Sequence, residues 1–174
     1  LMCGDATIKE DIEKLMNGNK INMVLTDPPY NVNYSSKNEL LNLYDKGNKI
    51  QEEIIIDYFP NREEYNKFII KWFDNIALHL SEYNSVYTFG IAESLVSLYY
   101  YPKITISNML VWIKDNIILG RQDYKGKHEF ILYGWFGKHK FYGDIGSSTV
   151  FEYPKPLKND LHPTMKPIEL VKSK

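Results

Sequence analysis

The stretch Met23-Val24-Leu25-Thr26-Asp27-Pro28-Pro29-Tyr30 decides how this sequence is read. Ile21 to Thr26 is an apolar run of strand type, and Asp27-Pro28-Pro29 ends it, because proline lacks the backbone donor that a strand ladder needs. A strand therefore gives way directly to a carboxylate and a stiff turn. That pairing suits a particular chemical task. The exocyclic amine of a nucleobase is a weak nucleophile, since its lone pair is delocalised into the ring. A carboxylate accepting one N–H and a turn carbonyl accepting the other would draw the lone pair outward. Two prolines hold the carbonyl's direction before any substrate arrives, which is the preorganisation that electrostatic catalysis depends on. Tyr30 adds a ring face to a base removed from its stack.

Outward from this turn the pattern alternates. On the N-terminal side, Leu1-Met2-Cys3 resembles the tail of a strand closed by Gly4-Asp5. Thr7 to Met16 then carries Ile8, Ile12, Leu15 and Met16 at helical spacing, with Thr7 and Glu10 set for a capping box. Asn17-Gly18-Asn19 stops that helix. On the C-terminal side, residues 31–58 are polar and read as a long loop, of the kind that is usually functional or disordered. Tyr65, Phe68, Ile69, Trp72, Phe73, Ile76 and Leu80 repeat at helical spacing behind Asn61 as a cap. Strands are predicted over Ser85 to Phe89, Ile104 to Lys114 and Glu129 to Phe136, with a short helix from about Ala92 to Tyr100. Alternating strands and amphipathic helices predict an α/β sheet with helices on its faces and ligands beyond the strand carboxyl ends, where both Asp5 and Asp27 are expected.

Composition narrows the class. The 174 residues, 44% hydrophobic and 25% charged, suit one domain spanning 1–174, with no linker or internal repeat that would divide it. No apolar run approaches membrane-spanning length, and the N-terminus lacks a signal-peptide pattern, so a cytoplasmic location is expected. Cys3 is the single cysteine. It excludes an intrachain disulfide, suggests no metal site, and is expected to be buried at a strand end. The net charge of −1 gives no global case for binding phosphates, so any contact with a nucleic acid must be local. One basic segment, residues 114–140, holds Lys114, Arg121, Lys125, Lys127, Lys138 and Lys140 with His128 and His139.

With Asp27-Pro28-Pro29-Tyr30 in place, the sequence resembles the β-class DNA amino-methyltransferases, which modify adenine N6 or cytosine N4 with S-adenosylmethionine and no metal. Two further segments are similar to that family. His162-Pro163-Thr164-Met165-Lys166-Pro167, followed by Ile168-Glu169-Leu170-Val171, resembles its motif X beside the methionine part of the cofactor. Leu110 to Lys114, Leu119 to Tyr124 and Lys127-His128-Glu129 resemble the strand and loop around the target base. The resemblance implies a partial Rossmann-like methyltransferase sheet. It implies that Asp27 and the Pro28 carbonyl bind the amine at the Pro28-Pro29 turn, that Tyr30 stacks on a flipped base, and that the methyl passes directly to nitrogen. It further implies a cofactor site at Asp5, Asp27, His162, Pro163, Thr164, Lys166 and Pro167. DNA contacts are implied at Arg121, Tyr124, Lys125, Lys127 and His128. Trp112, in a strand, is expected to pack in the core.

Asp in the first motif position favours adenine, with cytosine-N4 transfer as the alternative on the same scaffold. In this permuted order the glycine-rich cofactor loop follows motif X, and neither that loop nor the first strand of the fold is found in the sequence. The expectation is therefore half a cofactor site and a sheet edge able to pair with a second copy. A non-catalytic DNA-binding remnant and an unrelated nucleotide-binding fold are the other readings, and a bacterial or phage restriction-modification setting suits the resemblance.

Overall fold

Two strands joined in parallel carry the decisive turn. In the computed structural model, which describes residues 1–32, 58–117, 123–156 and 165–172, β1 (Ile21–Thr26) lies alongside β2 (Leu80–Gly90), with Val24 opposite Val86 and Thr26 opposite Thr88. A parallel pair needs a crossover, and α2 (Arg62–Ala77) supplies it. β2 next pairs antiparallel with β4 (His128–Trp135), β4 antiparallel with β3 (Thr105–Ile113), and β3 parallel with the short β6 (Val150–Glu152). The sheet order is β1-β2-β4-β3-β6, and β5 (Lys138–His139) adds to the far end of β2. This is the α/β sheet that the alternating pattern predicts, and its strand directions are mixed.

The topology puts chemistry on one edge. The carboxyl ends of β1, β2, β3 and β6 and the amino end of β4 all lie together, because Thr26 is level with Thr88, Gly90 with Phe130, and Ile113 with both His128 and Glu152.

Each face of the sheet is covered differently. Val24, Val86 and Leu132 point toward α2 and α3 (Ala92–Tyr99), where Tyr65, Ile69, Trp72, Phe73, Leu95 and Leu98 complete a core. Tyr87, Phe89, Leu110, Trp112 and Ile131 point the other way, against Leu170 of α4 (Ile168–Lys172). The period-2 alternation of the strands thus feeds two cores. Trp112 is buried as expected, and its indole N–H donates to the Tyr153 carbonyl at 2.8 Å.

Local rules explain the helix limits. Asn61 caps α2 by accepting from the Glu64 N–H at 2.9 Å. Asn61→Ala is expected to cost about 1 kcal/mol, seen as a lower urea midpoint with an unchanged slope. Gly90 is required where β2 turns into α3, because a Cβ there would meet the Leu95 side chain at 2.6 Å.

The first twenty residues depart from the sequence expectation. Residues 1–5 belong to no strand, and Cys3 is exposed. α1 (Lys9–Met16) begins behind Ile8, with no side-chain cap. Thr7 does not cap it. Its N–H is taken by the Asp5 carboxylate at 2.8 Å, and the Asp5 N–H by Asp11 at 2.8 Å, so a local Asp turn outcompetes the capping box. α1 does end as expected at Asn17, in the left-handed region (φ 44°). Most of the predicted 31–58 loop lies outside the described residues. No described helix is long and apolar enough to cross a membrane.

Candidate active site

The turn after β1 is held from the crossover side. The Tyr65 hydroxyl, on the first turn of α2, donates to the Pro29 carbonyl at 2.9 Å. Asn31 takes a left-handed φ of 58°, which asparagine tolerates better than most residues, and its side chain accepts from the Phe59 N–H at 2.7 Å. Pro28 is buried, while Asp27 stays open to solvent at the sheet edge. Strand, prolines and helix thus aim one carboxylate outward on a rigid support.

That carboxylate heads a chain of charges crossing the sheet edge. The Tyr30 hydroxyl donates to Asp27 Oδ1 at 2.6 Å and lies 3.3 Å from Glu129 Oε2. Lys166 Nζ is 2.7 Å from Asp27 Oδ2 and 3.2 Å from Glu129 Oε2. Lys114 Nζ meets the other Glu129 oxygen at 2.5 Å. Lys166 also lies 5.3 Å above the Tyr30 ring and 5.2 Å above that of Phe89, within cation–π range. The elements explain the convergence: Asp27 ends β1, Lys114 follows β3, Glu129 begins β4, and Lys166 precedes α4.

Burial sharpens the electrostatics. Lys114 is 3% exposed and Glu129 13%. Burial alone would raise the Glu129 carboxyl, but Lys166 and then Lys114 outweigh it and hold the group below the usual carboxylate range. Tyr30 moves the opposite way. Burial first, then the Glu129 and Asp27 charges, push its hydroxyl far above the ordinary tyrosine value, so it remains a proton donor at neutral pH.

A family model described as N6_N4_Mtase, DNA methylase, matches residues 21–160, which run from the first residue of β1 past β6. The chain belongs to this DNA methylase family. No curated protein matches it. Among solved structures, the M1.HpyAVI–SAM complex is similar with a TM-score of 0.58 at 17% identity, over 99% of this chain and 73% of that one. M1.HpyAVI alone gives 0.54 at 15%, over 90% and 68%. At such identities the likeness is one of fold, and it agrees with the Rossmann-like sheet expected from the sequence.

Within the methylase, the expected site residues separate into groups. Asp27, Tyr30 and Lys166 come together, with Pro28 and Pro29 forming the turn and Pro167 adjoining Lys166. Asp5 does not join them. Ala6, its neighbour, accepts a hydrogen bond from Asn75 at 3.0 Å. Asn75 stands ten residues beyond Tyr65 along α2, about 15 Å farther along the helix axis at 1.5 Å per residue. The Asp5 carboxylate accepts from the Thr7 N–H in a local turn. Arg121, His162, Pro163 and Thr164 lie outside the described residues. Tyr124, Lys125, Lys127 and His128 lead into β4 on the same edge as Asp27, with Tyr124 93% exposed.

The predicted basic segment does not act as one surface. Lys114 is consumed in the buried pair with Glu129, and Lys138 pairs with Glu82 at the opposite end of β2. Three contributors were missed from sequence: Glu129 and Lys114 as a buried pair, and Tyr65 as the support of the turn. The available signal was weak, one lysine closing the apolar run Leu110 to Ile113 and one glutamate opening Phe130 to Tyr133.

Proposed function

We propose that this chain is the catalytic part of a DNA methyltransferase that moves a methyl group from S-adenosylmethionine to adenine N6. The observation that carries the reading is the Asp27 carboxylate, held at a buttressed Pro-Pro turn on the carboxyl edge of the parallel strands. One Asp27 oxygen and the Pro28 carbonyl would accept the two amine hydrogens, leaving the nitrogen lone pair directed outward. Tyr30 would present its ring to the base. Once the nitrogen carries the methyl group, the Asp27 carboxylate would take up the proton that the amine releases and pass it to solvent.

Two cavities lie beside residues of this site, one against Tyr30 and one against Lys166, and would take one reactant each. One of about 310 Å³ is walled by Tyr30, Phe59, Asn61, Arg62, Tyr65 and Glu93, the aromatic faces and polar edges that a nucleobase requires. The other, about 350 Å³, includes Asp115, Lys155, Met165, Lys166 and Glu169. Two carboxylates and two ammonium groups match an amino-acid tail, so Asp115 or Glu169 would take its ammonium and Lys155 its carboxylate. When bound, S-adenosylmethionine would supply an electrophilic methyl group and leave as a neutral thioether. Tyr124, Lys125, Lys127 and His128, with Arg121, would contact the DNA backbone beside the entering base.

Mass spectrometry of nucleosides from DNA treated with the protein and isotopically labelled S-adenosylmethionine tests the reading. Label in N6-methyladenosine is expected. Label in N4-methylcytosine would replace adenine by the alternative base, and DNA retention without any label would favour the non-catalytic remnant. Tyr65→Phe, which frees the Pro29 carbonyl, is expected to lower kcat roughly two- to tenfold through loss of one hydrogen bond, with little change in the apparent affinity for DNA. β1 is an outer strand of the described sheet, with Met23 40% exposed, and is the edge through which a second copy would pair. Light scattering that shows only monomer at high concentration would remove that possibility.

A further inference from the structure

In the structure both oxygens of the Asp27 carboxylate are already engaged, Oδ1 by the Tyr30 hydroxyl and Oδ2 by Lys166. A carboxylate oxygen can accept a second bond, but a substrate amine then shares Asp27 with an internal donor that draws on the same charge, and its own bond strengthens when that donor moves away. Displacing an ammonium group that is only 10% exposed is costly if nothing else receives it, because a buried unpaired charge is strongly unfavourable. Here something does. Tyr30 and Lys166 share one second acceptor, Glu129 Oε2, at 3.3 and 3.2 Å, so a movement of a few tenths of an ångström transfers either donor. Lys114 fixes Glu129 through its other oxygen, leaving Oε2 turned toward the site.

We propose that Glu129 is a positioning residue that receives Lys166 and the Tyr30 hydroxyl when the substrate amine takes Asp27, so that the carboxylate is handed from internal donors to substrate without stranding a buried charge. The proposal rests on Asp27 being the amine acceptor. It also gives Lys166 a place in the amine site in addition to any contact with the cofactor.

The test compares Glu129→Gln, Lys166→Met and the double variant in single-turnover methyl transfer to unmethylated genomic DNA, with calorimetric binding of S-adenosylhomocysteine measured alongside. A neutral amide is a poor receiver for an ammonium, so Glu129→Gln alone is expected to lower the single-turnover rate roughly ten- to a hundredfold, with S-adenosylhomocysteine affinity held within about threefold of wild type. In the Lys166→Met background there is no ammonium to receive, and the same substitution is expected to cost less than about threefold. An equal loss in both backgrounds, or no loss in the wild-type background, would overturn the proposal. Should Glu129→Gln alone fail to fold, Lys166→Met against the charge-balanced double variant still decides: near-equal rates support the handover, and a further large drop refutes it. Absence of methyl transfer by a wild-type protein that binds S-adenosylhomocysteine would instead sink the reading of Asp27 itself, and it is seen before any variant is compared.

Discussion

Asp27→Ala is expected to reduce methyl incorporation into DNA by roughly a hundred- to a thousandfold, the scale on which removal of one preorganised electrostatic group acts. The alanine removes the carboxylate that would draw on the amine and leaves it only the Pro28 carbonyl of the two proposed acceptors. Lys166 and the Tyr30 hydroxyl keep Glu129 as partner, so the fold should survive and the loss should fall on kcat. Asp27→Asn retains one carbonyl oxygen at nearly the same place and is expected to lose less, about tenfold. Asp5→Ala serves as the contrast: because Asp5 closes a local turn beside α1, transfer should remain within about threefold of wild type. Filter binding of tritiated methyl groups on DNA measures all three. Full activity in Asp27→Ala would end the proposed mechanism, and a collapse in Asp5→Ala would place the cofactor elsewhere than the Lys166 side.

Lys114→Met is expected to destabilise the protein by about 3 kcal/mol, because it breaks a buried pair and leaves Glu129 with Lys166 as its one cationic partner among the described residues. For a domain of this size that is a fall of about 6–12 °C in melting temperature. The effect carries a pH signature. Since Lys166 and Lys114 hold the folded Glu129 carboxyl below its unfolded value of 4.5, its contribution is complete above about pH 4.5 and drains away as the pH falls through the lower folded value. The gap between wild type and Lys114→Met should therefore be widest near neutrality and narrow on acidification. Thermal melts from pH 7 to pH 3 measure it, and a gap that stays constant across this range would show that Lys114 stabilises by packing rather than by charge.

Glu129 and Lys114 show why part of the site could not be seen in advance. Each lies in a segment where charged residues are common, and neither has a local reason to be buried. Their pairing depends on β3 and β4 lying side by side with Trp112 opposite Glu129, which is a matter of strand register rather than of composition. The same register divides the basic segment, sending Lys125 and Lys127 to the Asp27 edge and Lys138 to the opposite end of the sheet. Helical spacing at the start of the chain misled for a related reason. The apolar positions of α1 are real, yet no α1 residue is buried, because periodicity shows that a face exists but not what covers it.

By itself the sequence determined the elements whose causes are local. β1 must stop at Asp27 because proline cannot continue a ladder, and α2 must start at Asn61 because a side-chain acceptor there satisfies an open backbone donor. The Asp27 to Tyr30 turn likewise carried, with two further segments, the resemblance to the methylase family that the family model over residues 21–160 shows. Only the tertiary structure decided which charges meet that carboxylate. Lys166 comes from 139 residues away and Glu129 sits 99 residues from Tyr30 in the chain. Contacts over such separations are set by sheet order and by the free energy of pairing charges away from water, and no local pattern records either.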